Sequence, residues 1–301
     1  MRITKTAISG LAIALAYVAN PATAQTTATA PTAAAEVDQN AAIANFFEEY
    51  DAQQLALSPL SKSYRGIKDS DYGRWDDFTT ASEARANDAA RSALKEMRTR
   101  FDPAQLSPEN RLSYRLFEKR AERNEAAFKY NDYGYVFDQM NGAQSELPAF
   151  LINIHRVDNK SDARAYVSRL YGIGPGMNQA IEQAKARAGQ GIMPPKWVYP
   201  YVINDARNVI TGAPFDSGPD APLFADFKGK VGKLNISQIE KDLLIADAAQ
   251  ALNSAVKKAY EALISEMTAQ EKVAGTDDGV WRFKDGAGYY AERLANYSTT
   301  N

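Results

Sequence analysis

The chain of 301 residues contains no cysteine and a single histidine, His155. Without thiols there is no disulfide framework, no thiolate zinc site and no thiol nucleophile. With one imidazole, a zinc helix of the H-E-x-x-H kind is excluded, because it needs two histidines one turn apart. A Ser-His-Asp triad would have to use His155, and no G-x-S-x-G elbow is present to hold the serine. The chain also lacks a surplus of positive charge. Its 35 Lys and Arg stand against 37 Asp and Glu, for a formal net charge of -2. Removing residues 1–24, which carry Arg2 and Lys5, leaves 33 basic against 37 acidic residues and a charge of -4. That balance predicts no nucleic-acid partner, since phosphate binding needs a concentrated basic surface. Basic and acidic residues alternate in stretches such as KEMRTRFD, the pattern of a solvated helix face. No alternating strand pattern competes over any long stretch, and no internal repeat is visible.

The most readable feature present is the N-terminus. A basic MRITK is followed by the apolar run ISGLAIALAYVA and a small-residue cleavage pattern, Ala22-Thr23-Ala24, before Gln25. This reads as a secretory signal peptide over 1–24. The apolar run is shorter than the roughly 20 residues that cross a bilayer, and no lipid-accepting cysteine follows it. The expectation is an exported protein, periplasmic or secreted, with no stable membrane anchor after cleavage. Residues 25–37, QTTATAPTAAAEV, lack bulky apolar side chains and read as a flexible linker.

Helical periodicity occupies the rest, so 38–301 is read as one helical domain. The fold class is mainly α: a multi-helix array with long helices and a minor hairpin or turn near 277–286. Ile43, Phe46, Phe47 and Tyr50 form one apolar face, and Ser58-Pro59 stops that helix. Residues 60–78 read as a long loop. Thr80 to Glu83 has capping-box spacing, and Ser107-Pro108-Glu109 is a strong helix start. Glu146-Leu147-Pro148 is expected to open a short helix carrying His155, and Ser161 to cap the next. The glycines of YGIGPGMN are expected to loosen or end a helix. Pro194-Pro195 opens a helix with Trp197, Tyr201 and Val202. Ser237 to Glu240 is a capping box that begins the longest periodic run, Ile239, Leu243, Leu244, Ala248, Leu252, Val256, Tyr260, Leu263 and Met267. This run is either one helix of about 35 residues, near 50 Å long, or two helices broken near Asn253-Ser254.

Candidate chemistry is sparse. S-x-x-K occurs at Ser92-Lys95 and Ser254-Lys257, both inside amphipathic helices, at about the chance rate for average composition. Gly172, Gly174 and Gly176 follow no strand and are not a dinucleotide fingerprint. DNKSDARAY places Lys160 where a calcium loop needs an oxygen ligand. Carboxylate pairs occur at Glu48-Glu49, Asp76-Asp77 and Asp277-Asp278; neighbours on a helix point about 100° apart, so Glu48 and Glu49 do not converge and read as a wet helix surface. His155, beside Ile152, Ile154 and Val157, is read as a packed or cleft-lining residue. No catalytic, cofactor-binding or metal-ligating residue is assigned. The tyrosines and tryptophans suit core packing or a groove for peptide or sugar.

Several segments together resemble the N-terminal half of a bacterial family, domain of unknown function 885. They are FFEEYDAQQLALSP, LSYRLFEKR, ELPAFLINIHRVDNKSDARAYVSRL, GQGIMPPKWVYPYVINDARNVI, AVKKAYEALISEM and DGVWRFKDGAGYYAERLANYSTT. The resemblance spans nearly all of 38–301, in order. It implies an exported, all-helical, zinc-metallopeptidase-like protein with its metal site in a further half, and hence a truncated chain here, half of a larger peptidase-like helical domain. No position in this chain matches a zinc ligand or general base of that family, so zinc is implied for full-length members and not for this chain. The first expectation is the N-terminal portion of such a protein, inactive alone, whose full-length form takes a peptide substrate. Self-association through uncovered apolar helix faces, above all the Leu243 to Met267 stripe, would follow. The alternative is a complete exported helical binding protein without catalysis, with a surface around Tyr133, Tyr135 and Trp197.

Overall fold

The computed structural model describes residues 38–298. The signal peptide and linker readings fall on residues outside that range. The described chain is helical, with no β-strand among the described residues beyond a single bridge between Ala213 and Asp220.

The first helices make a small lobe. α1 (Gln39–Leu57) is capped by Asp38 and ended at Ser58, whose hydroxyl at once caps α2 (Pro59–Tyr64) by accepting from Ser61 N–H. Part of the expected loop at 60–78 is therefore helix, because proline at a first helical position favours a start as well as a stop. α3 (Thr80–Arg100) is capped by Thr79 rather than Thr80; Thr79 Oγ1 accepts from Ser82 N–H. α4 (Pro108–Phe128) starts where Ser107-Pro108-Glu109 places it. Ile43, Phe46, Leu94, Met97, Phe101 and Tyr114 fill the core between α1, α3 and α4. Phe117 closes it edge-on against Phe46 and Tyr50.

The main lobe is built on one column, α6 (Lys160–Gly189), whose Tyr166, Leu170, Ile173, Met177 and Ala180 are buried. Asn159, not Ser161, is its N-cap, accepting from Asp162 N–H. α5 (Ala143–Asn153), α9 (Gln238–Ala251) and α10 (Lys257–Glu271) pack on α6; α7 (Val198–Val209) packs on α10 and α5, and α8 (Pro222–Gly232) on α9 and α5, with Phe227 against Tyr166. α5 begins before Glu146 and ends before His155, which lies in the irregular segment that follows. The reading that put His155 on a helix is corrected: Ile154 N–H closes the last turn onto Phe150 C=O, and His155 N–H bonds that same carbonyl.

Two further expectations are revised. The glycines of YGIGPGMN neither loosen nor end α6, which runs through them and through Pro175. They let aromatic rings approach the helix axis. A Cβ on Gly172 would sit 2.6 Å from Trp75 Cδ1, and one on Gly176 would sit 3.1 Å from Phe78 Cε2. Gly174 is different, with Ala255 Cβ 4.0 Å away as its nearest neighbour. Two substitutions only two residues apart, on opposite sides of the helix, should therefore have opposite signs. Gly174→Ala gains helix propensity and is expected to stabilise by up to about 1 kcal/mol. Gly172→Ala displaces a packed indole, at an overpacking cost of about 1–3 kcal/mol that exceeds the propensity gain. Thermal melts of the two variants against the parent measure both.

The long run does not break at Asn253-Ser254. α9 and α10 are joined through a π-helical segment, Leu252–Val256. The spacing explains it. Leu244, Ala248, Leu252, Val256 and Tyr260 recur every fourth residue, and each step overshoots one α-helical turn by about 40°. Over four steps the stripe would drift about 160° away from α6. One inserted residue in a wide turn takes up about 100° of that drift. Asn253 Nδ2 then donates to Ala249 C=O and Pro214 C=O, and Ser254 Oγ to Gln250 C=O. As a result the stripe is covered from Leu244 onward: Leu244, Leu252, Val256, Tyr260, Leu263 and Met267 are buried, while Ile239 and Leu243 remain in solvent.

Near 277–286 there is a 3-10 turn, Val280–Arg282, rather than a hairpin. It leads into α11 (Gly286–Ser298). Tyr130, Tyr133, Phe283 and Tyr289 stack at 5.4–5.8 Å and join this C-terminal segment to the end of α4.

Candidate functional site

Residues 65–79 fold over the N-terminal half of α6 and are anchored from within by Arg169. This side chain is fully buried. Its Nε donates to Arg74 C=O at 3.0 Å, Nη2 to Ser63 Oγ at 2.8 Å, and Nη1 to His155 Nδ1 at 2.8 Å. Among the described residues, no carboxylate lies within ion-pair distance of it. The rings of Tyr72, Trp75 and Phe150 surround the guanidinium at 4.8–5.8 Å and offer their π faces. Burial pulls the Arg169 pKa down to about 10, opposed by Tyr72 and Asp76.

His155 is fixed by its neighbours. Arginine can only donate, so Nδ1 accepts; Asp162 C=O can only accept, so Nε2–H donates to it at 3.0 Å. Both ring nitrogens are committed and the neutral Nε2–H tautomer is the one that fits. Burial holds its pKa down at about 3, with the Arg169 and Lys230 charges acting the same way and the bond to Asp162 C=O opposing them. Tyr72 lies against the imidazole at 4.4 Å, and its hydroxyl bridges Arg156 N–H and C=O. Ser63 Oγ donates to Pro59 C=O and accepts from Arg169. Serine and histidine are thus separated by a guanidinium, and no base is positioned to activate the hydroxyl.

Outside this sealed cluster runs an open groove of about 280 Å³, lined by Gly73, Trp75, Asp76, Ser168, Pro175 and Gln179 among others. Trp75 forms its wall and donates Nε1–H to Arg169 C=O at 2.8 Å. Asp76 points inward, accepting from Leu60 N–H and Ser58 Oγ, and burial raises its pKa against those bonds and Arg169. Asp77 points outward to Arg85. Glu48, Glu49, Asp277 and Asp278 are all exposed. Among the described residues, no three His, Cys, Asp or Glu side chains are grouped so as to hold a metal ion.

The other singled-out residues serve the fold. Asp162, in DNKSDARAY, accepts from Asp158 N–H and pairs with Lys68, which also holds Asp158. Ser92 and Lys95 are exposed on α3. Tyr133 and Tyr135 turn inward against Phe283, whereas Trp197 is exposed, donating Nε1–H to Asp278 and meeting Tyr201 edge to face at 6.2 Å. Of the expected surface of Tyr133, Tyr135 and Trp197, only Trp197 is exposed, and its exposed neighbour is Tyr201. No sequence motif marks Arg169; its local signal is a charged residue in the same stripe as Tyr166, Leu170 and Ile173.

Comparison with known proteins agrees with this helical architecture. A crystal structure described as that of "the putative lipoprotein from Colwellia psychrerythraea" matches with a TM-score of 0.74 and 16% sequence identity, over 88% of this chain and 47% of that one. The chain thus spans about half the length of that solved structure, and the likeness is one of fold. No helix among the described residues is long and apolar enough to cross a membrane. No curated protein matches the sequence. A family model described as bacterial protein of unknown function (DUF885) matches residues 59–301, and the chain belongs to that family.

Proposed function

We propose that this chain is the N-terminal helical portion of an exported zinc-peptidase-like protein, forming one wall of its substrate cleft and leaving the metal site to polypeptide outside this sequence. The observation that carries the reading is the state of His155. Both of its nitrogens are used internally, so the one imidazole in the chain has no lone pair to offer a metal. Zinc in catalytic sites takes three protein ligands from His, Cys, Asp or Glu, and the described residues do not fit that requirement. The groove beside Trp75 suits one side chain of an extended peptide: concave, with an aromatic wall and a few polar groups.

The test is an assay of the purified chain with added zinc against a mixed peptide pool. The expected result is no turnover above the rate without enzyme. Robust hydrolysis abolished by a chelator would overturn the reading. A binding protein without catalysis is the second reading, favoured by the exposed Trp197–Tyr201 pair held by Asp278. Peptide retained by the chain but lost in Trp197→Ala would support that second role.

A further inference from the structure

α11 is built with its polarity reversed. Glu292 and Arg293 lie toward the protein, their side chains 11% and 21% exposed and bonded to each other at 2.6 Å. Tyr290, Leu294 and Tyr297, spaced to form a single stripe, are 62%, 47% and 72% exposed. Trp281, 76% exposed, sits at the foot of the helix, its Cα 3.1 Å from where a Cβ of Gly286 would be. A helix covered on one side only normally turns its apolar stripe inward and its charges to water. Here the ion pair is inside and three large apolar side chains are outside. The helix is nonetheless anchored: Tyr289 packs on Tyr130, Tyr133 and Phe283, and Asp285, just before it, bonds Tyr130 Oη at 2.8 Å.

We propose that the outer face of α11, with Trp281, is the seat of the complementary helical portion of a longer polypeptide of this family. This rests on the reading of the chain as one portion of such a protein. More than half of the matched lipoprotein chain has no counterpart here, while 88% of this chain is matched. The occupant is therefore a covalently continuous or co-expressed set of helices presenting apolar side chains. Burying two tyrosines and a leucine is the type of contact that anchors a permanent interface.

Two measurements decide it. In the full 301-residue chain, the triple variant Tyr290→Ser, Leu294→Gln, Tyr297→Ser is compared with the parent for hydrophobic-dye fluorescence, melting temperature and sedimentation. A loss of at least threefold in dye signal with an unchanged melt is expected. If the triple variant does not fold, Leu294→Gln alone gives a smaller loss in the same direction. In the crystal structure of the longer lipoprotein, the helix superposing on α11 is expected to have its outer face covered by residues outside the matched region. An open face there overturns the proposal, as does unchanged dye binding. A parent chain that dimerises and becomes monomeric in the variant also overturns it, by naming a second copy as the occupant. Neither measurement depends on hydrolysis, so failure of the peptidase reading would leave these outcomes intact.

Discussion

Arg169→Ala is expected to destabilise the chain by about 5 kcal/mol or more: three stranded hydrogen-bond partners cost about 1–3 kcal/mol each, and the large-to-small cavity adds about 2–5 kcal/mol. The stranded groups would be Arg74 C=O, His155 Nδ1 and Ser63 Oγ. The cavity would open among Tyr72, Trp75 and Phe150, whose rings now face the guanidinium. A loss of that size is a large fraction of the roughly 5–15 kcal/mol that holds a domain together. Urea unfolding followed by far-ultraviolet circular dichroism measures it as a lower midpoint at unchanged slope. Arg169→Lys should recover only part of the loss. One ammonium on a flexible stem cannot reach three acceptors in the directions a planar fork reaches them, and it lacks the fork's stacking surface. A loss below about 1 kcal/mol in Arg169→Ala, the size of an exposed contact, would show that the network is not the anchor of residues 65–79.

This cluster also marks what was legible from the residues alone. The helical class, the caps at Ser107 and Ser237 and the end of α1 at Ser58 follow from local rules, because a cap is an interaction between residues two or three apart. The continuity of α6 was not legible. Glycine and proline are locally helix-breaking, and only Trp75 and Phe78, about a hundred residues away in the chain, give Gly172 and Gly176 a reason to lack a side chain. The same holds for Arg169, whose three acceptors lie at Ser63, Arg74 and His155. Its one local signature is a charge in an apolar stripe. The π-helical segment sits between these extremes. A fourfold repeat of +4 spacing is visible in the sequence and is incompatible with a straight α-helix facing one neighbour. Reading that drift as an inserted residue, rather than as a break, resolves the two alternatives for the long run. Polarity reversal in α11 depends on knowing which side is covered, and that comes from the packing of Tyr289.

Below neutral pH the largest effect on stability should come from His155, the only histidine in the chain. Its pKa is about 3 in the folded chain against 6.5 unfolded. A folded pKa below the unfolded one means that, between the two, the unfolded chain binds the extra proton. Stability therefore rises with pH through that interval, is complete above 6.5 and is lost as pH falls. One proton gives a slope of about 1.4 kcal/mol per pH unit once well inside the interval. Between pH 6.5 and 5 the loss is expected to approach about 2 kcal/mol, before ordinary carboxylates begin to protonate. Carboxylates held low by partners, such as Asp51 beside Arg65 and Glu240 beside Lys160, add their own loss only below that range. Urea midpoints taken at half-unit steps from pH 7.5 to 5 measure the slope. In His155→Gln the amide can still accept from Arg169 through Oε1 and donate from Nε2, with no titration in this range. The variant should start less stable than the parent at pH 7 and show a flat profile, so that the two curves converge as pH falls. A parent profile that is flat from 7 to 5 would mean that the imidazole ionises as readily in the folded chain as in the unfolded one, and that water reaches it. Parallel slopes in parent and variant would assign the pH dependence to other groups.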